Sequence, residues 1–399
     1  MCKTREEFQE SLVTTTAAAR PRPPFRADHV GSLLRPPELL AARLRLLGPQ
    51  TPTSSLGPHD NAELRAVEDR CVRDVVAMQK RVGLRSATDG EFRRRSWWLE
   101  TILSWEGFAA DRTGALDFRW RNDAGKTDAF SKLAITGKVR WRESAVARAA
   151  AFLRGATDAV AKVTIPAPTM VHLFAGGDNA IRRSPAYNDA DAFRADLVAA
   201  YRREIAAIIA AGARYIQLDD TAIAFLCDPA HRVTMGAWGK SPEALLVDYA
   251  KLINETLAEV PDDVTVTLHQ CRGNREGQWA AEGGYDPVAD VMFNSIDVDG
   301  FFLEYDSARA GGFEPLRLLP KGRIVVLGLV SSKTAALESA DVLRARVDAA
   351  AKFVALDQLA ISPQCGFASS IGGNPLTQAD QEAKLARLVE VAGKIWADA

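Results

Sequence analysis

Four residues of types that bind transition metals stand at the ends of apolar runs. His269 and Cys271 end the run VTVTLHQC, Glu304 ends FFLE, and Cys365 follows LDQLAISPQ. Residues i and i+2 of an extended strand point to the same face, so His269 and Cys271 can share one ion. Two thiolates, an imidazole and a carboxylate make a tetrahedral set that suits Zn²⁺. We therefore predict a zinc site at these four residues.

The wide separation of the four residues favours a catalytic zinc site over a structural one. Structural sites usually take their cysteines from close pairs, whereas 33 residues separate Cys271 from Glu304 and 61 separate Glu304 from Cys365. The alternative is that His269 is a hydrogen-bonded core histidine and that the two cysteines are ordinary buried thiols. A set drawn from several strand ends favours the catalytic interpretation.

A second group combines carboxylates with a small-residue turn. Each member follows an apolar run: Gly31 and Ser32 after ADHV, Asp89 and Glu91 in TDGEF, and Asp219 and Asp220 in QLDD. The acids suit an ammonium group, while the N–H groups and hydroxyl of the turn suit a carboxylate. The group therefore predicts a site for a zwitterionic amino acid. The alternative, weighed mainly for Asp89 and Asp220, is that the acids cap the helices that follow.

A basic and aromatic cluster directly follows the TDGEF segment. Its members are Arg93, Arg94, Arg95, Trp97 and Trp98. Such a cluster could hold an anionic or planar molecule next to the acids. The alternative is a solvated helix face with one salt bridge. We keep Trp97 and Trp98 as candidate substrate contacts.

The elements that must position these residues alternate in the manner of a parallel sheet covered by helices. Eight short β-rich runs are present: ADHVGS, LRSATDG, AKVTIP, RYIQLDD, VTVTLHQ, DGFFLE, RIVVLG and LDQLAIS. Helical patterns lie at 62–82, 190–211, 242–259, 338–354 and 376–396. Eight repeats of this rhythm predict an α/β fold of the (β/α)₈ TIM-barrel type, whose strand ends converge at one mouth. An open doubly wound sheet is the rival, but no strand leads into a glycine-rich phosphate-binding turn.

Two segments fall outside this rhythm. Residues 106–142 interrupt it and are predicted to form an inserted loop and β-hairpin that acts as a lid on the substrate side. Residues 1–24 end in a Pro-rich stretch and are predicted to be a flexible N-terminal extension. The rest of the chain, 25–399, is predicted to be a single zinc-binding barrel domain.

Composition excludes several classes of partner. Fifty basic residues stand against 51 acidic ones, so with a formal net charge of −1 no global field attracts nucleic acid or an anionic membrane. No apolar run reaches the ~20 residues of a membrane helix, and the start MCKTREEFQESL lacks the apolar core of a signal peptide. The five cysteines are few and widely spaced, which indicates a reducing compartment. We predict a cytoplasmic protein with a small-molecule partner.

The sequence resembles the catalytic C-terminal barrel of cobalamin-independent methionine synthases, especially their short single-barrel relatives. The matching segments are HVGSLLRP (29–36), DGEF (89–92), YIQLDD (215–220), HQC (269–271), LEYDSARAGGFEPL (303–316), GLVSSKTAALES (328–339) and SPQCG (362–366). The resemblance implies a zinc-thiolate methyltransferase that acts on homocysteine. It implies contacts of Gly31 and Ser32 with the homocysteine carboxylate and of Glu91 and Asp219 with its ammonium group. Glu304 is expected to leave a coordination position that the substrate thiol takes.

Departures from the family concern the methyl donor. The full-length synthases carry an additional N-terminal barrel that helps to bind a polyglutamylated folate, and this chain is not expected to include one. The family has a histidine thought to protonate the leaving nitrogen of the folate. The aligned segment GLVSSKT has Lys333 instead, which becomes the candidate for that catalytic role. The donor is expected to be methyltetrahydrofolate or methylcobalamin.

The leading hypothesis is a zinc-dependent methyltransferase that converts homocysteine to methionine. An alternative keeps the zinc and changes both substrates, as in the similar epoxyalkane:coenzyme M transferases. Glu91 and Asp219 disfavour it because a thiol without an ammonium group does not need them. A third hypothesis is a non-catalytic zinc-binding scaffold. A homo-oligomer is compatible with all three.

Overall fold

The architecture is a parallel sheet surrounded by helices. The computed structural model describes residues 22–49, 59–122, 125 and 127–399. Its strands are β1 (Ser86–Ala87), β2 (Glu106–Arg121), β3 (Thr127–Arg140), β4 (Val160–Pro166), β5 (Tyr215–Asp220), β6 (Thr265–Gln270), β7 (Gly300–Glu304), β8 (Ile324–Val330) and β9 (Leu359–Pro363). Seven of them form one sheet in the order β1, β4, β5, β6, β7, β8, β9, and all neighbours are parallel. The (β/α)₈-type prediction is confirmed, while the predicted extension 1–24 lies outside the described residues except for 22–24.

One of the eight predicted strands, ADHVGS, does not form a regular strand in the structure. It makes a single parallel bridge between Ala27 and Ile361 of β9, with the Asp28 N–H donating to the Ile361 carbonyl at 3.0 Å. On its other side, the hydroxyl of Thr88 donates to the carbonyl of Gly31 at 2.6 Å. The segment therefore lies between β9 and the end of β1, where it brings the two edges of the curved sheet together. It pairs with β9 through one bridge rather than through a continuous run of strand pairing.

Helices cover the sheet, and several of them begin at a side-chain cap. They are α1 (Pro37–Leu47), α2 (Ala62–Arg81), α3 (Leu99–Leu103), α4 (Ala145–Ala156), α5 (Pro168–Ala175), α6 (Gly177–Arg182), α7 (Ala190–Ala210), α8 (Ala222–Phe225), α9 (Pro229–Gly236), α10 (Pro242–Leu257), α11 (Ala289–Ser295), α12 (Ala340–Ala350) and α13 (Gln378–Ile395). The side chain of Asn61 accepts from the Leu64 N–H at the start of α2, and Thr377 and Asp380 form a capping box before α13. The five predicted helices are all present, and within the described ranges none is long and apolar enough to cross a membrane.

The core sits on both faces of the parallel sheet. Every residue of β5, β6 and β7 is buried. These strands are therefore buried on both faces, as strands of a parallel sheet covered by helices are, and even the polar residues of β5 and β6 are buried. The acidic residues and the histidine of these strands, Asp219, Asp220, His269 and Glu304, lie at or near their carboxyl ends.

The segment between α3 and α4 forms the predicted hairpin. Strands β2 and β3 pair in antiparallel fashion, with irregularities in the register. The end of β2 is fastened to the loop after β6, because the backbones of Arg121 and Trp279 exchange hydrogen bonds of 2.8 and 2.9 Å. The hairpin is therefore attached over the carboxyl ends of the strands.

Candidate active site

The carboxyl ends of the central strands bring the predicted site residues together. Asp219 on β5 is the register partner of His269 on β6, and His269 in turn partners Phe302 on β7. Cys271 follows β6 directly, and its N–H donates to the Asp220 carbonyl at 3.3 Å. Because parallel strands end at one edge, the metal-binding side chains and the acids share it.

Three of the four predicted zinc ligands form a compact donor triad of His269, Cys271 and Cys365. Their ligand atoms lie within 4.8 Å of one another, and all three side chains are buried. The two sulfur atoms are 3.7 Å apart. Among the described residues, neither ring nitrogen of His269 has a hydrogen-bond partner, so it is not a hydrogen-bonded core histidine. A buried imidazole without a partner is costly, and the triad therefore fits a metal ion.

The triad favours one thiolate. The hydrogen bond with Cys271 holds the pKa of Cys365 well below the usual range of a thiol, against the effect of burial, and the neighbouring His269 acts in the same direction. The same hydrogen bond, followed by burial, raises the pKa of Cys271. Cys365 is therefore the more acidic of the two thiols, and the thiolate is the form in which cysteine binds a metal.

Glu304 lies beside the triad, outside the group of ligand atoms that fall within 4.8 Å of one another. Its Oε2 accepts the backbone N–H of Arg272 at 2.7 Å. Its Oε1 faces the Nζ of Lys333 at 3.7 Å. Both side chains are buried, and in the described part of the chain neither Oε1 nor Nζ makes a hydrogen bond. Glu304 Oε1 therefore has an ionic contact with Lys333 and no hydrogen bond within the described residues.

Two carboxylates stand in the wall of a pocket that is partly open to solvent and also includes the triad. Glu91 Oε1 accepts the hydroxyl of Thr164 at 2.8 Å, while Oε2 is buried without a hydrogen-bond partner in the described ranges. Asp219 accepts from the amide of Gln217 at 2.7 Å. Burial raises the pKa of Asp219 to about 7 and also raises the pKa of Glu91. A cationic group in the pocket would offset this cost of burial.

The carboxylates of Asp89 and Asp220 are used inside the protein. Asp220 accepts from the amide of Gln270 at 2.6 Å and from the N–H of Ala222 at 2.8 Å, at the start of α8. Asp89 accepts the N–H of Glu91 at 2.9 Å and lies outside the described pocket wall. The capping interpretation therefore describes Asp220, whereas Asp89 closes a turn and is not followed directly by a helix.

The turn of Gly31 and Ser32 lies against Thr164. Gly31 has a φ of 142°, and a Cβ at this position would lie 2.6 Å from Cγ2 of Thr164. Glycine is required for this close approach. Ser32 belongs to the described pocket wall and Gly31 does not. Ser32 is therefore the side chain of the turn that a bound molecule can reach.

Aromatic rings form another part of the wall. Trp98 stacks on Phe174 with ring centroids 3.9 Å apart, and Trp97 lies 6.4 Å from the same ring. The hairpin adds Trp120, whose Cζ3 lies 2.8 Å from the position of a Cβ at Gly273. The structure places Trp97 and Trp98 in the pocket, where a planar molecule could lie against them.

The three arginines of the cluster are engaged with the protein. Arg93 pairs with Glu68 at 3.2 Å, and Arg95 pairs with Glu100 at 2.6 Å. Arg94 donates to a backbone carbonyl of β4 at 2.8 Å. Arg94 and Arg95 are buried, so the cluster is neither a solvated helix face nor a free anion site.

Asn274 is a pocket residue that the sequence patterns did not single out. Its side-chain nitrogen donates to the carbonyl of Gly366 at 2.6 Å, and its oxygen accepts from Asn374 at 2.9 Å. It thereby holds the loop that carries Cys365. The available signal was its place in HQCRGN, five residues after His269. Trp120 and Phe174 belong to no motif and could not have been found in this way.

A family model and two individual protein sequences match this chain over most of its length. The family model of the cobalamin-independent synthase catalytic domain matches residues 125–394. Two proteins of Bacillus subtilis (strain 168), the uncharacterized proteins YxjG and YxjH, are each 40% identical to this chain. The match with YxjG runs over 383 residues and covers 94% of this chain and 96% of YxjG. The match with YxjH runs over 375 residues and covers 94% and 95%.

Solved structures agree with this result. One from Listeria monocytogenes, named as a candidate vitamin-B12-independent methionine synthase, has a TM-score of 0.70 and 32% identity, covering 94% of this chain and 99% of the other. A B12-independent methionine synthase from Shewanella sp. W3-18-1 in complex with selenomethionine shares the fold, with a TM-score of 0.65, 18% identity and coverage of 93% and 97%. The chain belongs to the family of cobalamin-independent methionine synthases, through the catalytic domain that its motifs resemble.

Proposed function

We propose that this chain is a zinc-dependent methyltransferase that methylates the thiol of homocysteine and forms methionine. The observation that carries the proposal is one pocket whose wall combines the donor triad with two buried carboxylates, Glu91 and Asp219. The triad suits the thiol of the substrate, and the carboxylates suit its ammonium group. Membership of the family supports the same chemistry.

We propose that His269, Cys271 and Cys365 hold Zn²⁺, with Glu304 as the exchangeable fourth ligand. Two thiolates and an imidazole are a soft donor set that favours zinc over Mg²⁺ or Ca²⁺. Bound there, Zn²⁺ would lower the pKa of a substrate thiol, so that the sulfur is a thiolate at neutral pH.

The residues around the triad orient the amino acid. Glu91 and Asp219 hold its ammonium group, and the hydroxyl of Ser32 with the adjoining backbone holds its carboxylate. A substrate held at both charged groups presents its sulfur to the triad in one orientation, which lowers the entropic part of the barrier. The sulfur electron pair then forms the new bond to the methyl carbon. The bond between that carbon and the donor breaks, and its electron pair stays on the donor.

The aromatic part of the wall receives the methyl donor, methyltetrahydrofolate or methylcobalamin. Trp97, Trp98 and Phe174 offer flat apolar surfaces, and Trp120 of the hairpin lines the same pocket. These rings also keep water away from the thiolate, which strengthens electrostatic interactions in the site.

Zinc X-ray absorption of the purified protein, recorded alone, with homocysteine and with coenzyme M, tests the proposal. We expect homocysteine to add one sulfur neighbour and remove one oxygen neighbour, and coenzyme M to change little because it lacks the ammonium group. A response to coenzyme M alone would favour alkyl transfer to that thiol. A zinc spectrum that changes with neither thiol would favour the non-catalytic zinc-binding scaffold. Absence of zinc from the purified protein would contradict the proposal.

A further inference from the structure

A buried pair of opposite charges lies beside the donor triad. The ammonium nitrogen of Lys333 is 3.7 Å from Glu304 Oε1, and the two side chains are 4% and 0% exposed. Of the residues that the structure describes, none is hydrogen-bonded to either atom. The distance is longer than a hydrogen bond, so both atoms can still form a closer contact.

The carboxylate of Glu304 is anchored through one of its two oxygens. Oε2 accepts the N–H of Arg272 at 2.7 Å, and the backbone N–H of Glu304 donates to the hydroxyl of Tyr285 at 3.0 Å. Because Arg272 directly follows Cys271, the first of these bonds ties the carboxylate to the loop of the triad. Oε1 is the oxygen whose partner can change while this bond remains.

Lys333 is fixed to the part of the structure that carries Cys365. The N–H of Ser332 donates to the side-chain oxygen of Gln364 at 2.6 Å, so the residues adjacent to Lys333 and Cys365 are hydrogen-bonded to each other. Lys333 itself lies outside the described pocket wall, whereas the aromatic rings lie within it. Its position therefore favours an action on Glu304 over an action on the methyl donor.

We propose that Lys333 is a positioning residue that receives the Glu304 carboxylate when the substrate thiolate takes the place of that carboxylate on the metal. This inference rests on the proposed zinc site. A buried carboxylate that loses one cation without meeting another is strongly disfavoured. Lys333 supplies the second cation, and the thiol proton passes to solvent. The exchange therefore leaves no buried charge unpaired.

The test uses the zinc-loaded full chain and the variant Lys333→Met, with Lys333→Arg as the matched control that keeps the charge. Chelator competition measures zinc affinity, and calorimetry measures homocysteine binding. We expect Lys333→Met to hold zinc about 10-fold more tightly and to bind homocysteine about 10-fold more weakly, since Glu304 then has no other cation. Lys333→Arg should stay near the wild type. Adding Glu304→Gln to Lys333→Met should remove both shifts.

The outcomes separate this inference from the proposed function. If Lys333→Met leaves both affinities unchanged and lowers only kcat, the inference is wrong and the zinc site stands, with Lys333 acting on the methyl donor. If the wild type holds no zinc, the proposed function fails first. Should Lys333→Met not fold, Lys333→Gln makes the same comparison because it also removes the charge.

Discussion

Asp219 and His269 are register partners on neighbouring strands β5 and β6. The predicted ammonium contact and the first residue of the donor triad are therefore adjacent positions of one sheet. Their side chains nevertheless have different neighbours, because the Asp219 carboxylate accepts from Gln217, whereas His269 belongs to the triad with Cys271 and Cys365. Substrate binding and metal binding should for this reason be separable by mutation.

Asp219→Asn tests that separation. We expect the KM for homocysteine to rise by about 10- to 100-fold, the effect of losing one charge-assisted hydrogen bond. Zinc content should not change, because the triad keeps its three ligands. Asp89→Asn is the matched control, since the Asp89 carboxylate lies outside the described pocket wall and an asparagine oxygen can still accept the Glu91 N–H. Steady-state kinetics that show equal effects in both variants would contradict the assignment.

Cys365→Ser tests the triad. We expect it to lose most of its zinc and its methyltransferase activity, because a serine hydroxyl stays protonated and is a poor zinc ligand. Cys71→Ser is the control: this cysteine is also buried, but its sulfur lies 3.3 Å from a Glu38 oxygen. Zinc per chain is measured by atomic emission, with circular dichroism to verify the fold. Full zinc occupancy in Cys365→Ser would remove Cys365 from the ligand set.

The strand-borne part of the site was predictable from the sequence, because the two-residue period of a strand and the shared edge of a parallel sheet fix which side chains meet. His269 and Asp219 are of this kind. The relation of Glu304 to Lys333 was not predictable, because a loop after β8 brings together residues that no local pattern links. The same is true of Trp120, whose position depends on how the hairpin is fastened to Trp279.

Trp120→Ala tests the role of the hairpin as a lid. We expect the KM for the methyl donor to rise by roughly 3- to 10-fold, the scale of one aromatic contact, with zinc content and homocysteine affinity unchanged. Arg119→Ala, an exposed neighbour on the same strand, is the control and should behave as the wild type. If homocysteine affinity falls as far as donor affinity, the ring shapes the whole pocket and is not specific to the donor.

Lys162→Met tests a buried ion pair that stabilises the fold. Lys162 Nζ lies 3.2 Å from Asp28 Oδ1 and 2.5 Å from the His29 carbonyl, and both charged side chains are fully buried. Removing the cation leaves the Asp28 carboxylate without its countercharge. We therefore expect the free energy of unfolding in urea to fall by about 3–5 kcal/mol.

The double variant Asp28→Asn with Lys162→Met is the control for this pair. It removes both charges, so it should recover part of the lost stability, as coupled neighbours do in a mutant cycle. Zinc per folded chain should be the same in all variants, because Lys162 contributes no ligand atom to the triad. If the free energy of unfolding of Lys162→Met falls by less than about 1 kcal/mol, the pair contributes no more than a surface salt bridge does, and the prediction is wrong.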